Sequence, residues 1–560
     1  MKKATSFFRF ALMILTLAGC AAHHAVITTA QDGLSVDRLA ADIATLASDE
    51  FEGRLPGTPG GKKAIAFLKQ RYEELGLEPG NGDSYFQEVS LQETKVVPDA
   101  VLEIHNGGET LQLAYGEDHL AWTESMKEQV SLSASELVFV GFSIVAPEYD
   151  WDDYRDVDVQ GKTVVYLLND PGFVTGDTTL FKGKSATKYS SGRYKRKEAM
   201  RQGAAGVFAI IDSNLTSFSW EKLRAHMRAP QITLATEEGE VSRNMVYGFF
   251  NLDDGKTLLR LAGLEYDSLL VQAADPDFRA IGLDLRASLT LANRYRRYAS
   301  RNVLAVLPGA SRPDEVIVYT AHWDHMGRDT SLQGDQIFNG AVDNASGTAA
   351  LLTLAELFTG LEKRPERSIL FMAVTAEESG LLGSRYYTEN PLYPLTKTAA
   401  VINVDILLPF GKTRDVIVIG LGKSQLDDYI KVAARRIGLS VQADMWPQEG
   451  AYYRSDHINF ARKGVPSIFV LTGINSVANG KEWGLVQFDN YLKKTYHTPS
   501  DEYDDSWDLA GTVDVLRVLF DVGYTISNQR RFPNWHQEDE FKPVRDAAMK
   551  AAGNQRKDSQ

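Results

Sequence analysis

Several side chains able to bind a metal ion or move a proton stand where apolar runs of the sequence end. EVIVYTA runs into His322 and Asp324 (AHWDHMG), and NGAVDNASGTAA sets Asp343 just before a helical stretch. SILFMAVTA runs into the adjacent pair Glu377 and Glu378, and AAVINV into Asp405. KTYHTPSDEYD carries Tyr496, His497 and Asp501 in a turn before the last helical run. Imidazole nitrogens and carboxylate oxygens ligate divalent transition metals, and carboxylates also shuttle protons. Neighbouring like charges such as Glu377 and Glu378 repel, and burying either one unpaired is costly, so a nearby cation would resolve the conflict. Each residue taken singly has a plainer reading: a hydrogen-bonded histidine, a capping aspartate, a solvated glutamate pair. Taken together, they point to one site.

The elements that must position them are legible. From Ser300 to about Ser527, short Val- and Ile-rich runs (NVLAVLPG, EVIVYTAH, RSILFMAVT, AAVINVD, DVIVIG, VPSIFVLTG) alternate with stretches of helical period (SGTAALLTLAELFTGL, KSQLDDYIKVAARRIG, AGTVDVLRVLFDVGYTI). That alternation predicts an α/β fold with a mainly parallel mixed sheet flanked by helices. Such sheets bind ligands outside the carboxyl ends of their strands, where the residues above lie. Upstream, KKAIAFLKQRYEELGL predicts a helix stopping at Gly76, after a Gly- and Pro-rich loop, EGRLPGTPGG.

The chain has 560 residues, more than one simple core accommodates. Its formal net charge of −14 argues against non-specific nucleic-acid binding, which needs a basic face. Cys20 is the one cysteine, so no intrachain disulfide forms. MKK followed by FALMILTLAG and Cys20 resembles a bacterial lipoprotein signal with its LAGC lipobox, which implies cleavage before Cys20 and lipid on its thiol. Such an exported protein would be membrane-anchored, facing the periplasm from the outer membrane if the cell is Gram-negative. The expected domains are a signal peptide over 1–19, an N-terminal part of the main domain over 20–115, a β-rich insert over 116–279, the main domain over 280–530 and a polar tail over 531–560. The insert, with GAAGV at Gly203–Val207, resembles a protease-associated (PA) domain.

HWDH, VDNASG, AEESG, NVD, RSDH and YHTPSD, in that order, with LASDEFEGRLPGTPG near the N-terminus, resemble the double-zinc aminopeptidases of peptidase family M28. The glutamate carboxypeptidase II-like enzymes and the non-catalytic transferrin receptor share that fold. The resemblance implies a zinc exopeptidase acting on peptides with two Zn²⁺, a donor set that also admits Co²⁺ or Mn²⁺. It implies that His322 and Asp405 hold one ion, Glu378 and His497 the other, and Asp343 both. Asp324 and Asp501 would orient His322 and His497 from behind. Glu377 matches the family's general base, and Tyr496 the donor to the oxyanion; its plainer reading is a packed aromatic. Arg454 in YRSDHINF is a candidate substrate contact.

Two departures from the family pattern are visible: Val342 stands where a second acidic residue is common, and Ile406, Leu407 and Leu408 follow the NVD aspartate. Other readings on the same fold are a carboxypeptidase of the glutamate carboxypeptidase type, a glutaminyl cyclase-like transferase working with one zinc, and a receptor or scaffold. Loss of ligands would mark the last, and no loss is seen.

Overall fold

The computed structural model describes residues 24–97, 99–216, 219–235 and 245–558. The signal segment and Cys20 lie outside the described residues. No helix among them is long and apolar enough to cross a membrane. The chain divides into two compact units: one comprises the chain up to Val89, Ala299–Met445 and Arg454 onward, the other Ser90–Tyr298 with Trp446–Tyr453.

The first unit is built on a mixed sheet. Its strands, in chain order, are β1 (Ile281–Leu307, through residues 303–307), β2 (Arg312–His322), β3 (Arg367–Val374), β4 (Thr398–Asn403), β5 (Asp415–Ile419), β6 (Ser440–Ala443) and β7 (Ser467–Thr472). Across the sheet the order runs β1, β3, β2, β4, β7, β5, β6. The central strands β3, β2, β4 and β7 are parallel, whereas β1 and β5 run antiparallel to their central neighbours and the edge strand β6 is parallel to β5. β3, β4 and β7 are buried along their whole length, as unbroken apolar runs require when both faces are covered. Three helices pack against this sheet: α1 (Gly347–Thr359), α2 (Leu426–Arg436) and α3 (Ala510–Asn528). Phe358 of α1 packs at a tilt among Tyr319, Phe371 and Phe520, joining β2, β3 and α3.

The second unit is a sheet in which Gly206–Ile211 pairs parallel with Thr163–Leu167 and Val246–Asn251, extended beyond the former by the parallel strand Gln129–Phe139 and beyond the latter by the antiparallel strand His119–Thr123. It is wider at both ends than the insert expected over 116–279. The strands Val101–His105 and Thr110–Ala114 pair with each other, and the former with residues 286–288, because their alternating apolar faces complete this unit's core. The segment expected as a polar tail after Arg530 packs on the first unit. Trp535 and Phe541 are buried, the Trp535 indole donates to the Gly464 carbonyl, and Arg545 in the helix Lys542–Asp558 donates to the Leu395 and Thr398 carbonyls. Its high charge content hides these few anchors.

One buried cation ties the strand-end loops together. Arg54 ends the short helical turn Asp49–Arg54 and is 1% exposed. Its guanidinium donates to the main-chain carbonyls of Trp323 (2.9 Å), Leu46 (2.6 Å), Asn339 (2.6 Å) and Gly340 (2.9 Å). Burial pulls its pKa down to about 10, with Asp501, Asp324 and Asp343 opposing, so it stays charged at neutral pH. Arg54→Met leaves these carbonyls buried without a donor and should lower the unfolding free energy by about 3 kcal/mol, read from urea unfolding.

Candidate metal centre

The carboxyl ends of β2, β3 and β4 deliver His322, the Glu377–Glu378 pair and Asp405 to one edge of the sheet. Asp343 arrives on the loop that precedes α1, and His497 on the turn after residues 491–495. The chain reverses sharply at these points: Gly340, Ala376, Ile406 and His497 all have positive φ, at 56°, 53°, 51° and 59°. For the non-glycine residues that conformation costs about 1–3 kcal/mol each, the kind of strain held where side chains must be aimed. At Gly340 a side chain is barred outright, since a Cβ there would stand 2.3 Å from the Asp343 carbonyl oxygen and 2.5 Å from the His325 ring.

Asp343 sits between the two imidazoles. Its Oδ1 is 3.2 Å from His322 Nε2 and its Oδ2 is 3.1 Å from His497 Nε2. His322 Nε2 is also 3.4 Å from Asp405 Oδ1, and His497 Nε2 is 3.0 Å from Glu378 Oε2. The five side chains named as ligands thus form two clusters that share one carboxylate. Glu377 lies with the first of them, where donor atoms of His322, Glu377 and Asp405 are all within 4.8 Å of one another. The donor set fits a pair of divalent cations. Asp405 Oδ1 is buried and accepts no hydrogen bond. It faces His322 Nε2, whose lone pair, in the neutral ring with Nδ1 protonated, points at the same space.

The electrostatics of this cluster are severe. Burial drives Glu377 well above the usual carboxylate range; His322 opposes this, and Glu378, Asp456 and Asp405 add to it. Asp343 is also buried and close to Glu378, yet hydrogen bonds with His322 and His497 hold it at about 2. Burial opposes ionisation of Glu378, but His497 and His325 outweigh it and keep its pKa well below the ordinary value.

Two expected supporting contacts are differently made. His322 Nδ1 is 3.1 Å from the main-chain carbonyl of Asp324, while the Asp324 carboxylate is 4.0 Å away and accepts from the Glu377 amide at 3.1 Å. Asp324 therefore fixes the loop that carries Glu377 rather than the imidazole, because β2 has already turned at residue 323. Asp501 does not meet His497: its carboxylate accepts from the amides of Val342 and Asp343, each at 3.0 Å, and its carbonyl from Ala341 at 2.9 Å. It clamps the loop that carries Asp343. Tyr496 stacks on His497 with ring centroids 3.8 Å apart. Burial raises its pKa well above the usual value, followed by Asp343, while Arg454 opposes. Of the departures, Val342, Leu407 and Leu408 are buried, and the Leu407 and Leu408 amides donate to Ser346 and Thr472 hydroxyls.

Sequence reasoning missed three contributors. Ser455, in RSDH, donates to Asp405 Oδ2 at 2.6 Å and accepts from Asn403 at 2.7 Å. His325, the second histidine of HWDH, pairs with Glu378. Arg54, in the N-terminal LASDEFEGRLPGTPG stretch, clamps the loops behind the site. All three lie inside motifs, which was the available signal. Asp501→Ala frees the two amides that aim Asp343 and should weaken zinc binding about 10- to 100-fold, measured by competition with a chromogenic chelator.

Residues 302–520 match the model of peptidase family M28. Aminopeptidase NAALADL1 of Mus musculus is 40% identical over 123 residues, 21% of this chain and 15% of that protein. A probable zinc metalloprotease of Pyricularia oryzae is 36% identical over 106 residues, 19% of this chain and 20% of that protein. The chain thus spans only 15% and 20% of the lengths of these relatives. Among solved structures, an aminopeptidase from Aneurinibacillus sp. strain AM-1 superposes with a TM-score of 0.50 at 19% identity, covering 88% of this chain and 94% of that one, so the two share a fold. All of the clustered donors lie within segment 302–520, the part of the chain that matches the model of peptidase family M28.

Proposed function

We propose that the protein is a zinc-dependent aminopeptidase that hydrolyses the N-terminal peptide bond of its substrates with two ions and Glu377 as general base. The observation that carries this reading is Asp343, whose two oxygens each face a different histidine, and each histidine faces a further carboxylate. His322 and Asp405 would hold one ion, His497 and Glu378 the other, and Asp343 both. Bound there, zinc would polarise the scissile carbonyl and lower the pKa of water toward about 7.

The chain's own groups supply the rest. The Glu377 carboxylate takes the proton of the attacking water and hands it to the leaving amine nitrogen. Tyr496 keeps its hydroxyl proton because burial and the neighbouring carboxylates disfavour a phenolate, and it donates to the developing oxyanion. A carboxypeptidase must recognise a terminal carboxylate, and the sequence shows no cluster of arginines near these motifs. Arg54 cannot serve that purpose, since its donors are taken by main-chain carbonyls. Arg454 would contact the substrate. We assign the second unit, in the same way, to a PA-type module, and Cys20 to a lipid anchor on the exported protein.

Treatment with a chelator should abolish release of p-nitroaniline from aminoacyl-p-nitroanilides, and added Zn²⁺ should restore it. Glu377→Gln should keep the metal content of the wild type and lower kcat by about 10²- to 10⁴-fold. Equal turnover by that variant and wild type would remove the assigned base, and release of C-terminal residues alone from a peptide library would replace the aminopeptidase with a carboxypeptidase.

A further inference from the structure

His325 is fully buried, and its imidazole packs on the backbone of Gly340, where a Cβ would stand 2.5 and 2.6 Å from its ring atoms. Its Nδ1 is 2.6 Å from Glu378 Oε1. The other oxygen of the same carboxylate, Oε2, faces His497 Nε2 at 3.0 Å. The two oxygens of Glu378 are thus divided, one on a histidine behind the site and one toward the metal-binding edge. The His325 and His497 rings stand on either side of it, 5.8 Å apart between centroids.

We propose that His325 is a positioning residue that holds one oxygen of Glu378 and so aims the other at the His497-side ion. The inference rests on the two-ion reading above. With Oε1 held by the Nδ1–H donor, only Oε2 is presented, in a fixed direction. Oriented carboxylates of this kind lose metal affinity when the outer partner is removed, typically by about 10- to 100-fold. The glycine at 340 belongs to the same device, because the imidazole reaches Glu378 only over a backbone without a side chain.

The test is a zinc titration of the metal-free full chain against a chromogenic chelator, for wild type, His325→Ala and His325→Asn. The asparagine side-chain amide offers a donor near the place of Nδ1. The expected result is two tight equivalents in wild type, a second equivalent weakened about 10- to 100-fold in His325→Ala, and most of that loss recovered in His325→Asn. Melting of the metal-free proteins is recorded alongside. A lower Tm in both variants with unchanged affinity for the second equivalent would mean that His325 only fills space, and would overturn the proposal. Wild type that takes up one equivalent or none defeats the two-ion reading itself. Wild type that takes up two, with His325→Ala binding both as tightly, defeats the role of His325 alone.

Discussion

The structure depends on one carboxylate placed between two imidazoles. Asp343 is buried, and so are Glu377, Asp405, Asp324, Asp456 and Asp501 around it. So many acidic groups in a low-dielectric interior are tolerated only where opposite charge and hydrogen bonds are supplied at close range. Two histidines provide part of this, and a pair of divalent ions would provide the rest. The sheet brings in His322, the glutamate pair and Asp405 at adjacent parallel strand ends, which is why strand order β3, β2, β4 matters to the chemistry.

Around that centre the chain works mainly to aim groups. Arg54 gathers four carbonyls behind the β2 end and the Gly340 loop. Asp501 holds the amides of Val342 and Asp343, Asp324 the amide of Glu377, and Ser455 one oxygen of Asp405. Each is a polar group whose partner is a loop or a donor carboxylate, so the rigidity of the site is built from hydrogen bonds rather than from apolar packing. The strained backbone at Ala376, Ile406 and His497 persists because these bonds over-determine it.

Much of this was legible before any coordinates. Apolar runs of strand length announced β1, β2, β3, β4, β5 and β7 of the main sheet, and the polar residues ending them were among the ones brought together. Ser440–Ala443 escaped notice because it is a short, half-exposed edge strand with no apolar run. The supporting contacts were read less well. Proximity in sequence paired Asp324 with His322 and Asp501 with His497, but the chain turns between those residues and sends the carboxylates elsewhere. His325 stood within a recognised motif without a role, since its partner Glu378 is distant in sequence and only the β2–β3 pairing brings them together. The extent of the second unit was misjudged for a related reason: its outer strands lie close in sequence to the N-terminal helix but complete a different core.

The most direct test of the central claim is anomalous diffraction at the zinc edge from crystals grown with excess Zn²⁺. Two peaks about 3.5–4 Å apart are expected, one beside His322 and Asp405, the other beside Glu378 and His497, with the Asp343 carboxylate between them. A single peak, or none, at Asp343 under saturating zinc would contradict it.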